Sequence, residues 1–205
     1  MQSEIMSNTV SIGSCEIVVG CMCSGKSSNL ISKLTQAADL QFKVAYCNHS
    51  KDIRITESSD SVVNTHNSGF QKLSSKIKGF KMETLNPEDL NDFDVIGIDE
   101  YQFFEKQNQN VKDLVLKYGK RVIIASLDYN FKLEPMGEVH ELYGLCGPGD
   151  VNKLYAICKL CDRKSMKKAG WTLKISGDNS VVDVGGMEKY IPVCLECHVK
   201  HNTYK

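Results

Sequence analysis

The 205-residue sequence has no surplus of charge of either sign, since 25 Lys and Arg stand against 25 Asp and Glu. Proteins that neutralise a nucleic-acid backbone usually carry a basic excess, so the balance argues against nucleic-acid partners and leaves small charged ligands open. No apolar run approaches the ~20 residues that a membrane span requires, and Met1 to Thr9 is polar with no signal-peptide core. A soluble, cytoplasmic chain with no membrane contact is expected. Internal repeats and low-complexity tracts are also missing.

Hydrophobic residues make up 41% and charged residues 24%, the usage of an ordinary folded domain. The length suits one full core with at most a small satellite. Nine cysteines stand out. Without an export signal they read as thiols and metal ligands, not as a disulfide framework.

An apolar run over 14–19 predicts a strand. The spacing of Leu30, Ile31, Leu34 and Ala37 or Ala38 predicts a helix over 27–40. Residues 43–47 form a second candidate strand, and the polar stretch 48–69 reads as a long loop or hairpin. Near-continuous apolar runs at 94–98 and 121–127, with a helix-like segment at 111–118 ending at Gly119, point to a parallel sheet covered on both faces. Beyond about Asp150 the pattern changes to short alternating pieces such as Trp171, Leu173 and Ile175. The chain is therefore expected to divide into an α/β nucleotide-binding unit, 1–149, and a small metal-binding unit, 150–205.

Gly20-Cys-Met-Cys-Ser-Gly25-Lys26-Ser27 matches the phosphate-loop pattern in full, between the first strand and the first helix. Its glycines let successive N–H groups face one anion, and the helix start adds its positive dipole. Lys26 is expected on the β/γ-phosphates and Ser27 on Mg²⁺. The x positions of the loop need only tolerate the turn, so Cys21 and Cys23 carry no redox assignment.

The run Val95 to Ile98 ends in Asp99-Glu100, at the edge of an open α/β sheet where ligands bind. Asp99 is expected to anchor Mg²⁺ through water, and Glu100 to take a proton from an attacking hydroxyl or polarise a water. These residues alone do not separate a kinase from a hydrolase. Cys158-Lys-Leu-Cys161 and Cys194-Leu-Glu-Cys197, with 32 residues between them, supply four thiolates for a tetrahedral Zn²⁺. Alternation over 171–184 predicts the hairpin that brings them together. Four soft ligands leave no open position, so the metal is expected to be structural. His198 and His201, expected to be exposed as a lone His after a knuckle usually is, are placed outside the ligand set, and Cys15, Cys47 and Cys146 read as packing residues.

With these features in order, the chain resembles the type II thymidine kinases from about Ser14 to His198. Further echoes are Lys51-Asp-Ile-Arg54, Thr65-His66, Asp99-Glu100-Tyr-Gln-Phe-Phe104, Leu127-Asp-Tyr-Asn-Phe131, Lys153-Leu-Tyr-Ala-Ile-Cys158 and Gly185-Gly-Met-Glu-Lys-Tyr190. The resemblance implies a RecA-like P-loop core with a zinc-ribbon-like lasso lobe. It implies transfer of the ATP γ-phosphoryl to the 5′-hydroxyl of thymidine, on a salvage route to dTTP, with Glu100 as base. Gly20, Met22, Ser24, Gly25, Lys26, Ser27, Ser28, Asp52, Arg54 and Asp99 are implied around ATP and Mg²⁺. Met22, Gln102, Phe103, Leu127, Phe131, Val181, Val184, Gly185 and Tyr190 are implied around the nucleoside. A homotetramer and feedback binding of dTTP are implied as well. One departure concerns the base: where many members present a Thr to the thymine methyl, the stretch after Cys161 here reads Met166-Lys-Lys168.

Two other readings compete. A nucleoside monophosphate kinase needs several guanidinium groups around its phosphates, whereas arginine occurs only at Arg54, Arg121 and Arg163, which favours an uncharged acceptor. A zinc-ribbon ATPase acting on nucleic acid could use the run Arg163 to Lys168, but no interleaved aromatic platform accompanies it.

Overall fold

The computed structural model describes residues 11–52, 62–65, 69–72, 74–176 and 185–202. Arg54, His66, Val181 and Val184, singled out above, lie outside these residues.

β1 (Ser14–Gly20) leads through the phosphate loop into α1 (Lys26–Asp39), followed by β2 (Val44–His49), β3 (Val62–Thr65), β4 (Gly69–Lys72), β5 (Ile77–Met82) and β6 (Val95–Asp99). Then come α2 (Asn108–Leu116), β7 (Arg121–Ser126) and β8 (Cys146–Leu154). Six of these strands form one sheet in the order β5-β2-β6-β7-β1-β8, and every pairing in it is parallel. β2 and β6 are buried at every position, as strands covered on both faces must be. One apolar layer, with Leu30, Ile31 and Leu34, lies under α1. The other, with Tyr101, Phe104, Val111 and Leu114, lies under α2. Gly97 lets α1 sit close on β6, because a Cβ there would come within 2.4 Å of Leu34 Cδ1.

Two strands of this sheet escape a search for apolar runs. β5 is an edge strand of mixed burial, and β8 is an edge strand broken by Gly147, Pro148 and Gly149, with a register shift against β1 between Cys15 and Ile17. β8 also runs across the expected boundary after residue 149, so the sheet continues to Leu154. In the polar stretch 48–69, β3 pairs antiparallel with β4.

The C-terminal part holds β9 (Ala156–Ile157) paired with β10 (Lys168–Ala169), β11 (Trp171–Lys174) paired with β12 (Tyr190–Val193), and α3 (Leu195–His201). The alternation that begins at Trp171 forms the first arm of this antiparallel pair, and residues 177–184 lie outside the described residues. The partner of β11 is β12, since its alternating face needs the apolar Ile191 and Val193 to close a small core with Cys158, Ala169 and Leu173. No described helix is long and apolar enough to cross a membrane.

Candidate active site

The phosphate loop closes on Gly25, which caps α1 in the left-handed region at φ 88°, a conformation that costs other residues a Cβ clash. Lys26 is buried and its Nζ donates to the Cys21 carbonyl at 2.9 Å, holding the cation inside the loop. Ser24 Oγ is buried and has no hydrogen-bond partner among the described residues. A buried donor left unpaired beside a helix N-terminus and an ammonium fits a phosphate oxygen. Ser28 follows in the first turn of α1.

Asp99 ends β6 on the same side of the sheet. Its Oδ1 accepts the Glu100 amide at 2.9 Å and its Oδ2 accepts the Tyr46 hydroxyl at 2.8 Å. The Ser27 side chain stands beside this carboxylate and favours its ionised form. Burial, and then the Glu100 charge, push the Asp99 carboxyl up to about 6, against the pull of these three groups. A serine hydroxyl and a carboxylate meeting at the mouth of a phosphate loop are hard oxygen donors of the kind that suit Mg²⁺.

Glu100 adopts φ 53° and ψ 42°, which turns the chain out of the strand. Buried non-glycine residues in this region are often functional. The Gln102 amide nitrogen donates to Glu100 Oε2, while Gln102 Oε1 accepts Ser126 Oγ at 3.2 Å and the Leu127 amide at 3.0 Å. One glutamine thereby ties the end of β6 to the end of β7. Asp52, buried just after β2, accepts Asn48 Nδ2 at 3.1 Å.

Met22, Phe131 and Tyr190 come together in one buried cluster, with Leu127 and Cys23 packed against it. Four of the residues implied around the nucleoside thus line one place, and Gly185 lies in the segment leading to β12. Phe103 is elsewhere, with its ring centroid 6.1 Å from that of His49.

Two contacts that the sequence did not disclose seat the C-terminal part on this cluster. The Met22 amide donates to Thr172 Oγ1 at 3.1 Å. His198, expected to be exposed, is fully buried, and its Nε2 lies 3.0 Å from the Phe131 carbonyl. Asn202 Nδ2 approaches the same nitrogen, also at 3.0 Å. Burial depresses the His198 pKa, against the pull of the Phe131 and Thr172 backbone. Asp128, also buried, pairs with Lys153 at 2.7 Å beside the same loop. The departure at Met166 to Lys168 changes meaning here. Met166 is 63% exposed, whereas Thr172 is the hydroxyl at the cluster. Alternation of Trp171 and Leu173 implied that Thr172 faces the other way from them, which was the available signal.

The sulfurs of Cys158, Cys161, Cys194 and Cys197 all lie within 4.8 Å of one another. A tetrahedral site with Zn–S bonds near 2.3 Å sets its sulfurs about 3.8 Å apart, and Cys161 Sγ lies 3.8 Å from Cys194 Sγ and 3.6 Å from Cys197 Sγ. Burial opposes ionisation of Cys158, but amide donors at Cys194, Leu160 and Cys161 outweigh it and lower its pKa, whereas Cys161 and Cys197 are raised. The donor set fits zinc, and no neighbouring histidine is needed.

A phosphate loop after the first strand of a parallel sheet, an acidic pair on the same rim and a four-thiol lobe define a P-loop α/β nucleotide-binding protein with a C-terminal lobe that could hold zinc. Comparison with known proteins narrows the class. The sequence profile of the family described as Thymidine kinase matches residues 13–198. The thymidine kinase of fowlpox virus (strain NVSL) is 34% identical over 189 residues, covering 92% of this chain and 98% of its own. The thymidine kinase of Choristoneura biennis entomopoxvirus is 29% identical over 196 residues, covering 93% and 98%. Thymidine kinase 1 of Dictyostelium discoideum is 32% identical over 188 residues, covering 91% of this chain and 78% of its own. The chain belongs to the thymidine kinase family and is an enzyme of that kind. The nucleic-acid ATPase reading is not favoured.

Proposed function

We propose that this enzyme transfers the γ-phosphoryl of ATP to the 5′-hydroxyl of thymidine with the following division of labour. The phosphate-loop amides, Ser24, Lys26 and the start of α1 bind the phosphates, with Ser28, Asp52 and Arg54 around them. Ser27 and Asp99 would hold Mg²⁺, which when bound neutralises charge on the β- and γ-phosphates. Glu100, held by Gln102, accepts the proton of the 5′-hydroxyl as that oxygen attacks. Met22, Leu127, Phe131 and Tyr190 enclose the base and sugar, Thr172 faces them, and Val181, Val184 and Gly185 are assigned to the nucleoside by the family resemblance. Phe103, which packs beside His49, is assigned to the nucleoside by the family resemblance alone.

Cys158, Cys161, Cys194 and Cys197 would hold Zn²⁺ in a closed set, leaving it no part in chemistry. Its work is to fix α3 and β11, which carry His198 and Thr172, against the nucleoside cluster. We further infer a two-unit chain in which the second begins near residue 150, a homotetramer restrained by dTTP, and a cytoplasmic location. The tetramer and the dTTP restraint rest on the family resemblance, and the two units and the location on the sequence pattern.

The observation that carries the reading is the Ser27 side chain of the phosphate loop standing beside the buried Asp99 carboxylate, whose chain neighbour is Glu100. The test is an assay of purified protein with Mg-ATP and each natural nucleoside, with products identified by mass. Thymidine monophosphate is the expected product. ATP turnover that leaves every nucleoside unmodified would overturn the assignment.

A further inference from the structure

Tyr46 stands in the middle of β2, fully buried among Leu30, Leu34 and Val95 beneath α1. A phenol in such a place is costly unless its hydroxyl finds a partner. The partner is Asp99 Oδ2 at 2.8 Å. Register explains the reach. Tyr46 pairs with Gly97, and Asp99, two residues on, points to the same face of β6. Asn48 is the residue directly opposite Asp99, but its amide is spent on Asp52. Among the described residues, Tyr46 is therefore the β2 side chain that grips this carboxylate.

The three groups around Asp99 are not equivalent. The Glu100 amide is its chain neighbour and sets little beyond the local turn. The Ser27 hydroxyl belongs to the phosphate loop and is itself a candidate metal ligand. Tyr46 comes from a separate strand, is locked by its packing, and bonds one oxygen only. It therefore fixes the rotation of the carboxylate and decides which face is presented beside Ser27.

We propose that Tyr46 is a positioning residue for Mg-ATP: by holding Asp99 Oδ2 it orients the carboxylate so that Asp99 and Ser27 can share one Mg²⁺. The inference rests on the reading that Asp99 and Ser27 face the metal.

Tyr46→Phe removes a single oxygen and keeps the ring. Calorimetric titration of the variant with ATP, in EDTA and then in excess Mg²⁺, separates the metal's contribution from that of the nucleotide. Metal-free ATP should bind within about twofold of wild type, while the gain in affinity on adding Mg²⁺ should shrink about tenfold, as expected when a residue that orients a metal ligand is lost. The Mg²⁺ concentration for half-maximal turnover should rise in step, with the thymidine KM unmoved. A gain equal to wild type, or equal losses with and without Mg²⁺, would overturn the proposal. Asp99→Asn run alongside distinguishes the two levels. If Asp99→Asn loses the gain and Tyr46→Phe keeps it, the positioning role alone fails. If both keep it, the metal reading fails as well. Should circular dichroism show Tyr46→Phe to be unfolded, Tyr46→Leu takes its place in the same titration, with the same outcomes.

Discussion

The amide of Met22 donates to the hydroxyl of Thr172 across 150 residues of chain, at 3.1 Å, a hydrogen bond that joins the phosphate loop to the C-terminal lobe. Both residues are buried. Thr172→Val keeps the shape but strands the amide, and an unpaired buried donor costs about 1–3 kcal/mol. Because Met22 lines the nucleoside cluster, the thymidine KM is expected to rise about tenfold, the effect of roughly 1.4 kcal/mol. ATP affinity should change little. Steady-state kinetics with each substrate varied in turn checks this, and a rise confined to ATP would contradict it.

Glu100→Gln keeps a side chain that can still meet Gln102 but cannot accept a proton. Turnover should fall by about 10²-fold or more, while ATP binding measured by calorimetry stays near wild type. Unaltered turnover would remove Glu100 from the chemistry.

Asp99 carries a pH signature in the metal-free protein. Its folded value of about 6 lies above the ordinary 3.8. The folded state thus holds the proton more tightly than the unfolded chain, and native stability declines as pH rises through that window. Asp99→Asn has no charge to bury, so its melting temperature in EDTA should exceed that of wild type by about 5 °C at pH 7.5, with the difference closing towards pH 4. Activity should be lost at the same time. A variant no more stable than wild type at either pH would refute the burial cost.

The four thiols predict about one zinc per chain, measurable by atomic emission. Cys161→Ser should lose the metal and loosen the small core around Leu173 and Val193. Thymidine affinity should fail before ATP affinity does, because Thr172 and His198 reach the nucleoside cluster from the lobe while Lys26 and Ser24 do not depend on it. A metal-free variant with an unchanged thymidine KM would detach the lobe from substrate binding.

Much of the site was legible in the residues because its parts are local. A phosphate loop encodes its own backbone turn, Asp99-Glu100 follows directly on an apolar strand, and each Cys-x-x-C knuckle places two sulfurs by itself. The parallel core was legible for the same reason, from strands apolar on both faces. β5 and β8 were not, since edge strands need apolar residues on fewer positions and their register comes from the neighbour they join. His198 looked like an exposed residue after a knuckle. Its burial depends on α3 packing against the Phe131 loop, a contact between segments 67 residues apart.

The sequence by itself determined the anion cradle, the acidic pair, the thiol set and the family, because each depends on residue types at short, fixed spacing. Only the tertiary structure decided that Tyr46 holds Asp99, that Thr172 holds Met22 and that His198 holds the Phe131 carbonyl. Those pairings depend on strand register and on how one lobe seats on the other. They are set by the summed packing of many side chains and by the need of each buried polar atom for a partner, conditions that no short stretch of residues expresses alone.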